Sequence, residues 1–250
     1  GFSSMEQFGL EVPNSVNLDE SIIYDNDLIT KLKSVVRSWK RGWKEIHDIK
    51  GDEIDIESVI ESQPKPFLMD FKIAIKTKIA LLLDHSSSID DYELEYKKAT
   101  VALCEALKFL DVKFSAYAFS TKNKKVSCWV IKHPDVKWTS ITARNLVQIK
   151  ASGGTPLAEI YGLLLPLMKS YKPDIMITLT DGEPSDYNAV RSAIKTYKMS
   201  GIHMVAVGVG KTVNTAVNIG LNLKYLEYER ILVVSQLHEI PTKVLSLLQV

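Results

Sequence analysis

The run Ile79-Ala80-Leu81-Leu82-Leu83 is apolar at every position and shows no alternation. A strand with one face in water reads apolar then polar, so an unbroken run requires cover on both faces. Similar apolar stretches recur at Asp174 to Thr180, His203 to Val209 and Ile231 to Val234. Between them the apolar spacing is helical, over Tyr92 to Leu110, Thr142 to Ile149, Pro156 to Tyr171, Tyr187 to Ser200 and about Gln236 to Leu248. Pro156 is expected in the first turn of its helix, and Gly201 just past the end of its own. Val112 to Phe119 alternates like a strand, and Val126 to Ile131 follows the polar turn Thr121 to Lys125, which predicts an antiparallel hairpin at a sheet edge. The pattern specifies an α/β fold: a doubly wound, mostly parallel six-stranded sheet with helices on both faces.

Upstream the signal changes. Residues 6 to 26 have no period and read as loop. From Leu28 the positions Leu32, Val35, Val36, Trp39, Trp43 and Ile46 follow helical spacing among Lys31, Lys33, Arg37, Lys40, Arg41 and Lys44. This predicts a basic amphipathic helix ended by Gly51, with its tryptophan stripe on the flank of the sheet and its lysines in water; a helix facing a membrane or nucleic acid is the alternative. A short helix fits Ile54 to Ile60, Pro64 and Pro66 then break the chain, and Phe67 to Phe71 reads as an edge strand or an extended connector. Residues 1–74 hold too few apolar side chains to fold alone, so they are expected as an extension whose helices pack on a core domain of residues 75–250.

Composition narrows the function classes. A net charge of +1 over 250 residues supplies no global field for nucleic acid or an anionic membrane. No run of about 18 apolar residues is present, so no span of a bilayer is expected. The start, Gly1-Phe2-Ser3-Ser4, lacks the layout of a signal peptide and reads as a cloning remnant before Met5. Cys104 and Cys128 form no C-x-x-C pair and read as buried thiols, which favours a reducing, cytoplasmic setting. Gly208-Val209-Gly210-Lys211-Thr212 imitates a phosphate loop, but Val205 stands where its first glycine belongs, so no ATP binding is expected.

Three segments fall at strand or helix boundaries, the first and third where the C-terminal end of a strand meets a loop: Asp84-His85-Ser86-Ser87-Ser88, Gly153-Gly154-Thr155-Pro156 and Thr180-Asp181-Gly182-Glu183-Pro184. Ligands of open parallel sheets collect at the carboxyl edge, where the strand order reverses. Each segment also has a plain structural reading: Asp84 or Thr155 as a helix cap, Ser86 and Ser88 as turn residues, Asp181 as part of an Asp-Gly turn. His85 is expected to turn away from the loop that carries it.

In this order the segments resemble the metal-ion-dependent adhesion site of von Willebrand factor A (VWA) domains, D-x-S-x-S, then Thr, then Asp, over about residues 75 to 250. The resemblance implies one divalent cation, Mg²⁺ or Mn²⁺, held by Asp84, Ser86, Ser88, Thr155 and Asp181. Ser86, Ser88 and Thr155 would offer hydroxyl oxygens, which suit a hard, octahedral ion. Asp84 and Asp181 would act mainly through bound water. Neutral direct ligands leave the ion attractive to a carboxylate from another protein, with Tyr92 and Tyr187 as aromatic anchors at the rim. The wording around Thr155 and Asp181 resembles intracellular metal-chelatase subunits and the VWA partners of MoxR-type AAA+ ATPases. That implies a non-enzymatic adaptor for such an ATPase. A metal-dependent hydrolase and an extracellular attachment module are the alternatives.

Overall fold

A computed structural model describes residues 5, 7–48, 77–181 and 183–248, the side chains of 39–48 excepted. The six strands are β1 (Lys78–Asp84), β2 (Lys113–Lys122), β3 (Lys125–Lys132), β4 (Ile175–Thr180), β5 (His203–Val209) and β6 (Arg230–Val234). They form one sheet in the order β3-β2-β1-β4-β5-β6. Every pairing is parallel except β2 with β3. Seven α-helices accompany them among the described residues: α1 (Asn26–Asp48), α2 (Glu93–Phe109), α3 (Ser140–Gln148), α4 (Leu157–Tyr171), α5 (Tyr187–Met199), α6 (Val213–Tyr225) and α7 (Ile240–Leu247). The expected doubly wound, mostly parallel sheet is therefore the observed one.

Its central strand explains why. Ile79 through Leu83 are all fully buried, but they serve two cores. Ile79, Leu81 and Leu83 pack with α1, α2, α3 and α7, and Ala80 and Leu82 pack with α4, α5 and α6. At roughly 1.5–3 kcal/mol for each large side chain removed from water, this strand anchors both layers. β1 is also where the winding reverses: the chain steps to β2 on one side and later to β4 on the other. The carboxyl ends of β1 and β4 thus open onto the switch-point crevice.

The N-terminal segment contributes to both layers. Ile23, Ile29, Leu32 and Val36 join one core, and Met5 and Leu10 the other. Glu11 bridges β3 through two backbone bonds, donating its N–H to Cys128 and accepting from Val130. That covers part of a sheet edge that no other strand pairs among the described residues. A 3₁₀ turn at Glu20–Ile23, capped by Asp19, lies where loop is expected. The expected helix at Ile54 to Ile60, the connector Phe67 to Phe71, the stop at Gly51 and the placement of Trp39 and Trp43 lie outside the described residues.

Several boundaries differ from the sequence reading. The hairpin turn is two residues, Asn123 and Lys124, both at positive φ (50° and 62°); the strands run on to Lys122 and from Lys125, so the five-residue turn is shortened. Positive φ at both centres suits the right-handed twist of the strands. Pro156 is the N-cap of α4, one place outside the helix, instead of in its first turn. A 3₁₀ turn, Ser87–Tyr92, precedes α2, so that helix begins at Glu93 and not Tyr92. Another 3₁₀ turn, Leu237–Glu239, precedes α7.

Helix α6 is missing from the sequence reading altogether. Thr212 caps it, accepting from the Thr215 N–H, and Gly210 lets its start approach β5. A Cβ at Gly210 would lie 2.7 Å from the Ala216 nitrogen. The glycines that imitate a phosphate loop thus serve helix packing.

Candidate metal centre

Asp84 is the last residue of β1, and Thr180 the last of β4. Strand geometry therefore delivers both to the switch-point crevice, with Asp181 one residue further. Asp84 is fully buried. Its Oδ1 accepts the Ser86 N–H at 2.8 Å, and its Oδ2 accepts the Thr180 hydroxyl at 2.6 Å. Burial pushes its pKa up to about 6; the Thr180 bond opposes the rise, the charge of Asp181 adds to it, and the Ser86 amide opposes it again.

Ser86 and Ser88 lie two residues apart with their hydroxyls 2.8 Å from each other. Ser88 donates to Asp181 Oδ1 at 2.7 Å, and Tyr92 donates to Asp181 Oδ2 at 2.6 Å. A hydroxyl has one proton, and Ser88 spends its own on Asp181, so Ser86 is the donor to Ser88. The result is a directed chain, Ser86 to Ser88 to Asp181, closed from the far side by Tyr92. Ser86 is the N-cap of the 3₁₀ turn but makes no side-chain cap bond, so its hydroxyl belongs to this chain.

The threonine segment is stitched to the serine loop through the backbone. The Ser87 N–H donates to Gly153 O at 2.9 Å and the Ser152 N–H to His85 O at 2.8 Å. Gly153 sits at φ +64°, and a Cβ there would lie 2.1 Å from Thr121 O, so no other residue fits. The Gly154 N–H donates to the Thr121 hydroxyl. Glu93, paired with Lys97 at 2.8 Å, accepts the Ala151 N–H, and Lys97 also donates to Ile149 O. This fixes the approach to Thr155 from α2. Thr155 is buried at 6% exposure. It does not cap α4, which has no side-chain cap. Among the described residues its hydroxyl has no hydrogen-bond partner. The structure thus joins Asp84, Ser86, Ser88 and Asp181 in one cluster and brings the loop of Thr155 against it.

His85 faces the core. It is fully buried, its Nδ1 lies 3.2 Å from Leu83 O, and its ring meets Tyr96 edge-on at 5.5 Å. Burial, then the nearby Lys97 charge, lowers its pKa to about 4. It is therefore a neutral structural ring at pH 7.

Two residues of the cluster escaped the sequence reading. Tyr92, expected as a free anchor at the rim, is tied to Asp181. Thr180, the partner of Asp84, carried only its place at a strand end as a signal. Tyr187, the other expected anchor, packs edge-on against Tyr225 at 5.9 Å.

The donor set is all oxygen, two carboxylates and a row of hydroxyls, and neither carboxylate has a lysine or arginine ion-pair partner among the described residues. Among the described residues no three His, Cys, Asp or Glu side chains converge as a metal cluster. Such a set fits a hard divalent cation far better than zinc-like thiolate or imidazole chemistry.

The model of the von Willebrand factor type A domain matches residues 78–222. No curated protein matches the chain. Among solved structures, proximal thread matrix protein 1 from the mussel byssus, with a zinc-occupied MIDAS motif, is 18% identical at a TM-score of 0.51. The match covers 70% of this chain and 46% of the mussel protein. A second crystal form of the mussel protein gives 18% identity and a TM-score of 0.49, over 70% of this chain and 47% of that one. Manganese-loaded TRAP protein of Plasmodium vivax gives 14% identity and a TM-score of 0.45, over 59% and 63%. This chain spans about half the length of the mussel protein.

Proposed function

This chain belongs to the von Willebrand factor type A domain family, and on that premise we propose that it is a cation-dependent protein-binding module. The observation that carries the reading is the directed oxygen chain Ser86–Ser88–Asp181 in front of the buried Asp84, at the crevice where the sheet reverses. Ser86, Ser88 and Thr155 would hold a divalent cation, Mg²⁺ in the cell and Mn²⁺ as its probe, with Asp84 and Asp181 balancing its charge. Once bound there, such an ion would supply a Lewis-acidic position suited to a carboxylate from a partner.

A single ion contact is too small for a stable complex, so neighbouring surface must add area. Helix α6 offers it. Val213, Val217, Leu221 and Tyr225 recur every four residues and are all more than half exposed. The helix starts at the same sheet edge as the cluster, and its Asn222 lies 3.4 Å from Glu183 in the loop after Asp181.

The site acts by binding and not by turnover in this reading. Hydrolysis needs a base beside the metal, and the one histidine in the loop is buried with its ring against Tyr96. For the wider role we propose an adaptor to a MoxR-type AAA+ ATPase, which the wording around Thr155 and Asp181 supports. Calorimetric titration of Mn²⁺ tests the core of the proposal: one site is expected, and saturation of neither Mn²⁺ nor Mg²⁺ at millimolar concentration would remove it. Mn²⁺-dependent turnover of a phosphoester, lost in Ser86→Ala, would replace binding by catalysis.

A further inference from the structure

Asp181 is held in an unusual way. Both of its carboxylate oxygens are engaged by side chains from one short stretch, Ser88 on Oδ1 at 2.7 Å and Tyr92 on Oδ2 at 2.6 Å. These residues stand four apart in the 3₁₀ turn Ser87–Tyr92, so a single turn grips the carboxylate from two sides. Asp84, by contrast, takes a backbone amide and a threonine from the next strand. Asp181 itself begins a loop, with no strand neighbour to fix its side chain.

The tyrosine ring is itself fixed. The Lys211 ammonium lies 5.2 Å from its centroid and bonds Asp91 Oδ2 at 2.8 Å, and Tyr92 also packs against the core containing α2. A partly buried ring under a cation has little rotamer freedom, and its hydroxyl is aimed at one oxygen of Asp181.

Resting on the cation-binding reading above, we infer that Tyr92 is a positioning residue of the site: it sets cation affinity by holding Asp181 turned toward Ser88. The consequence follows from proton counting. While Asp181 faces Ser88, the Ser88 proton is spent there, and the lone pairs of its oxygen stay on the side of Ser86. Released from Tyr92, Asp181 can rotate into the loop and leave Ser88 to donate elsewhere. Charge-assisted bonds to a carboxylate are about twice as strong as neutral ones, so the phenol is a firm stop.

The test is a double-mutant cycle on Mn²⁺ affinity, read by calorimetry, with thermal unfolding of the metal-free samples beside it. Tyr92→Phe keeps the ring, its packing and the Lys211 contact, and removes one oxygen. Supporting groups of metal ligands typically change affinity 10- to 100-fold when removed. Tyr92→Phe is expected to weaken Mn²⁺ binding about tenfold, at the low end of that range, with an unchanged melting temperature. In an Asp181→Asn background the same change is expected to add less than about twofold, because the residue it positions has lost its charge. Wild-type affinity in Tyr92→Phe overturns the inference and leaves the cation site standing. An equal loss in both backgrounds also overturns it, because Tyr92 then acts through some other group. Absence of Mn²⁺ binding in the wild type overturns the site and this inference together.

Discussion

The two aspartates of the cluster carry the same charge and are held in opposite ways. Asp84 ends a fully buried strand, is itself fully buried, and bonds a backbone amide and a neighbouring strand's hydroxyl. Asp181 lies beyond the end of its strand, is partly exposed, and among the described residues is held by side chains, those of Ser88 and Tyr92. The first is part of the sheet's architecture, and the second is a mounted part whose position depends on three rotamers. Charge at a site can therefore be fixed by backbone or adjusted by side chains, and this crevice combines both. The comparison predicts that damage to the two carboxylates will separate stability from affinity.

Asp84→Ala is the most severe change. It strands the Ser86 N–H in the interior and takes the carboxylate away from the Thr180 hydroxyl; an interior amide left unsatisfied costs about 1–3 kcal/mol, less whatever is regained by removing a buried charge. Mn²⁺ affinity is expected to fall at least about 100-fold, at the upper end for groups supporting a metal, and chemical denaturation should show a clear loss of stability. Asp84→Asn sharpens the point. It keeps an acceptor for the amide and removes the charge, so affinity should fall as far while stability holds.

Asp181→Ala should cost roughly 10- to 100-fold in Mn²⁺ affinity and leave stability within about 0.5 kcal/mol, as partly exposed positions usually do. Similar stability losses in the Asp84→Ala and Asp181→Ala proteins would break the comparison. Thermal shift provides a third check. Mn²⁺ at about 100 times its Kd should stabilise the wild type by about 2.7 kcal/mol, and Asp181→Ala by much less at the same concentration.

How far this was legible follows from the kind of signal each element leaves. Strand β1 is legible because an unbroken apolar run has few alternatives, and the segments carrying Asp84, Ser86, Ser88 and Asp181 because strand ends share one edge; the choice of residues within them rests on the resemblance to the adhesion-site pattern. Helix α6 left no clean period: Ala216, Ile219 and Leu223 are buried while Val213, Val217, Leu221 and Tyr225 on its other side are exposed. Apolar residues on both faces erase the amphipathic pattern that identifies a helix. The sequence marks Tyr92 only as an aromatic anchor at the rim, because its partner is 89 residues away and the 3₁₀ turn is what aims it at Asp181. The two-residue hairpin turn was hidden because Asn123 and Lys124 are a weaker mark of positive φ than a glycine would be.

The smallest effect on the cluster is expected from the α6 stripe. Leu221→Asp should leave Mn²⁺ affinity and melting temperature unchanged, while reducing Mg²⁺-dependent capture of a partner from native extract. Unchanged capture would confine the binding surface to the loops of the crevice.

The central claim is that the hydroxyls of Ser86 and Ser88 face a divalent cation. Anomalous diffraction from crystals soaked in Mn²⁺ tests it most directly. The account predicts one peak within coordination distance, about 2.0–2.3 Å, of both serine oxygens and next to Thr155, with Asp84 and Asp181 around it. A fully soaked crystal with no peak in the crevice, or with its peak at another group of residues, would contradict it.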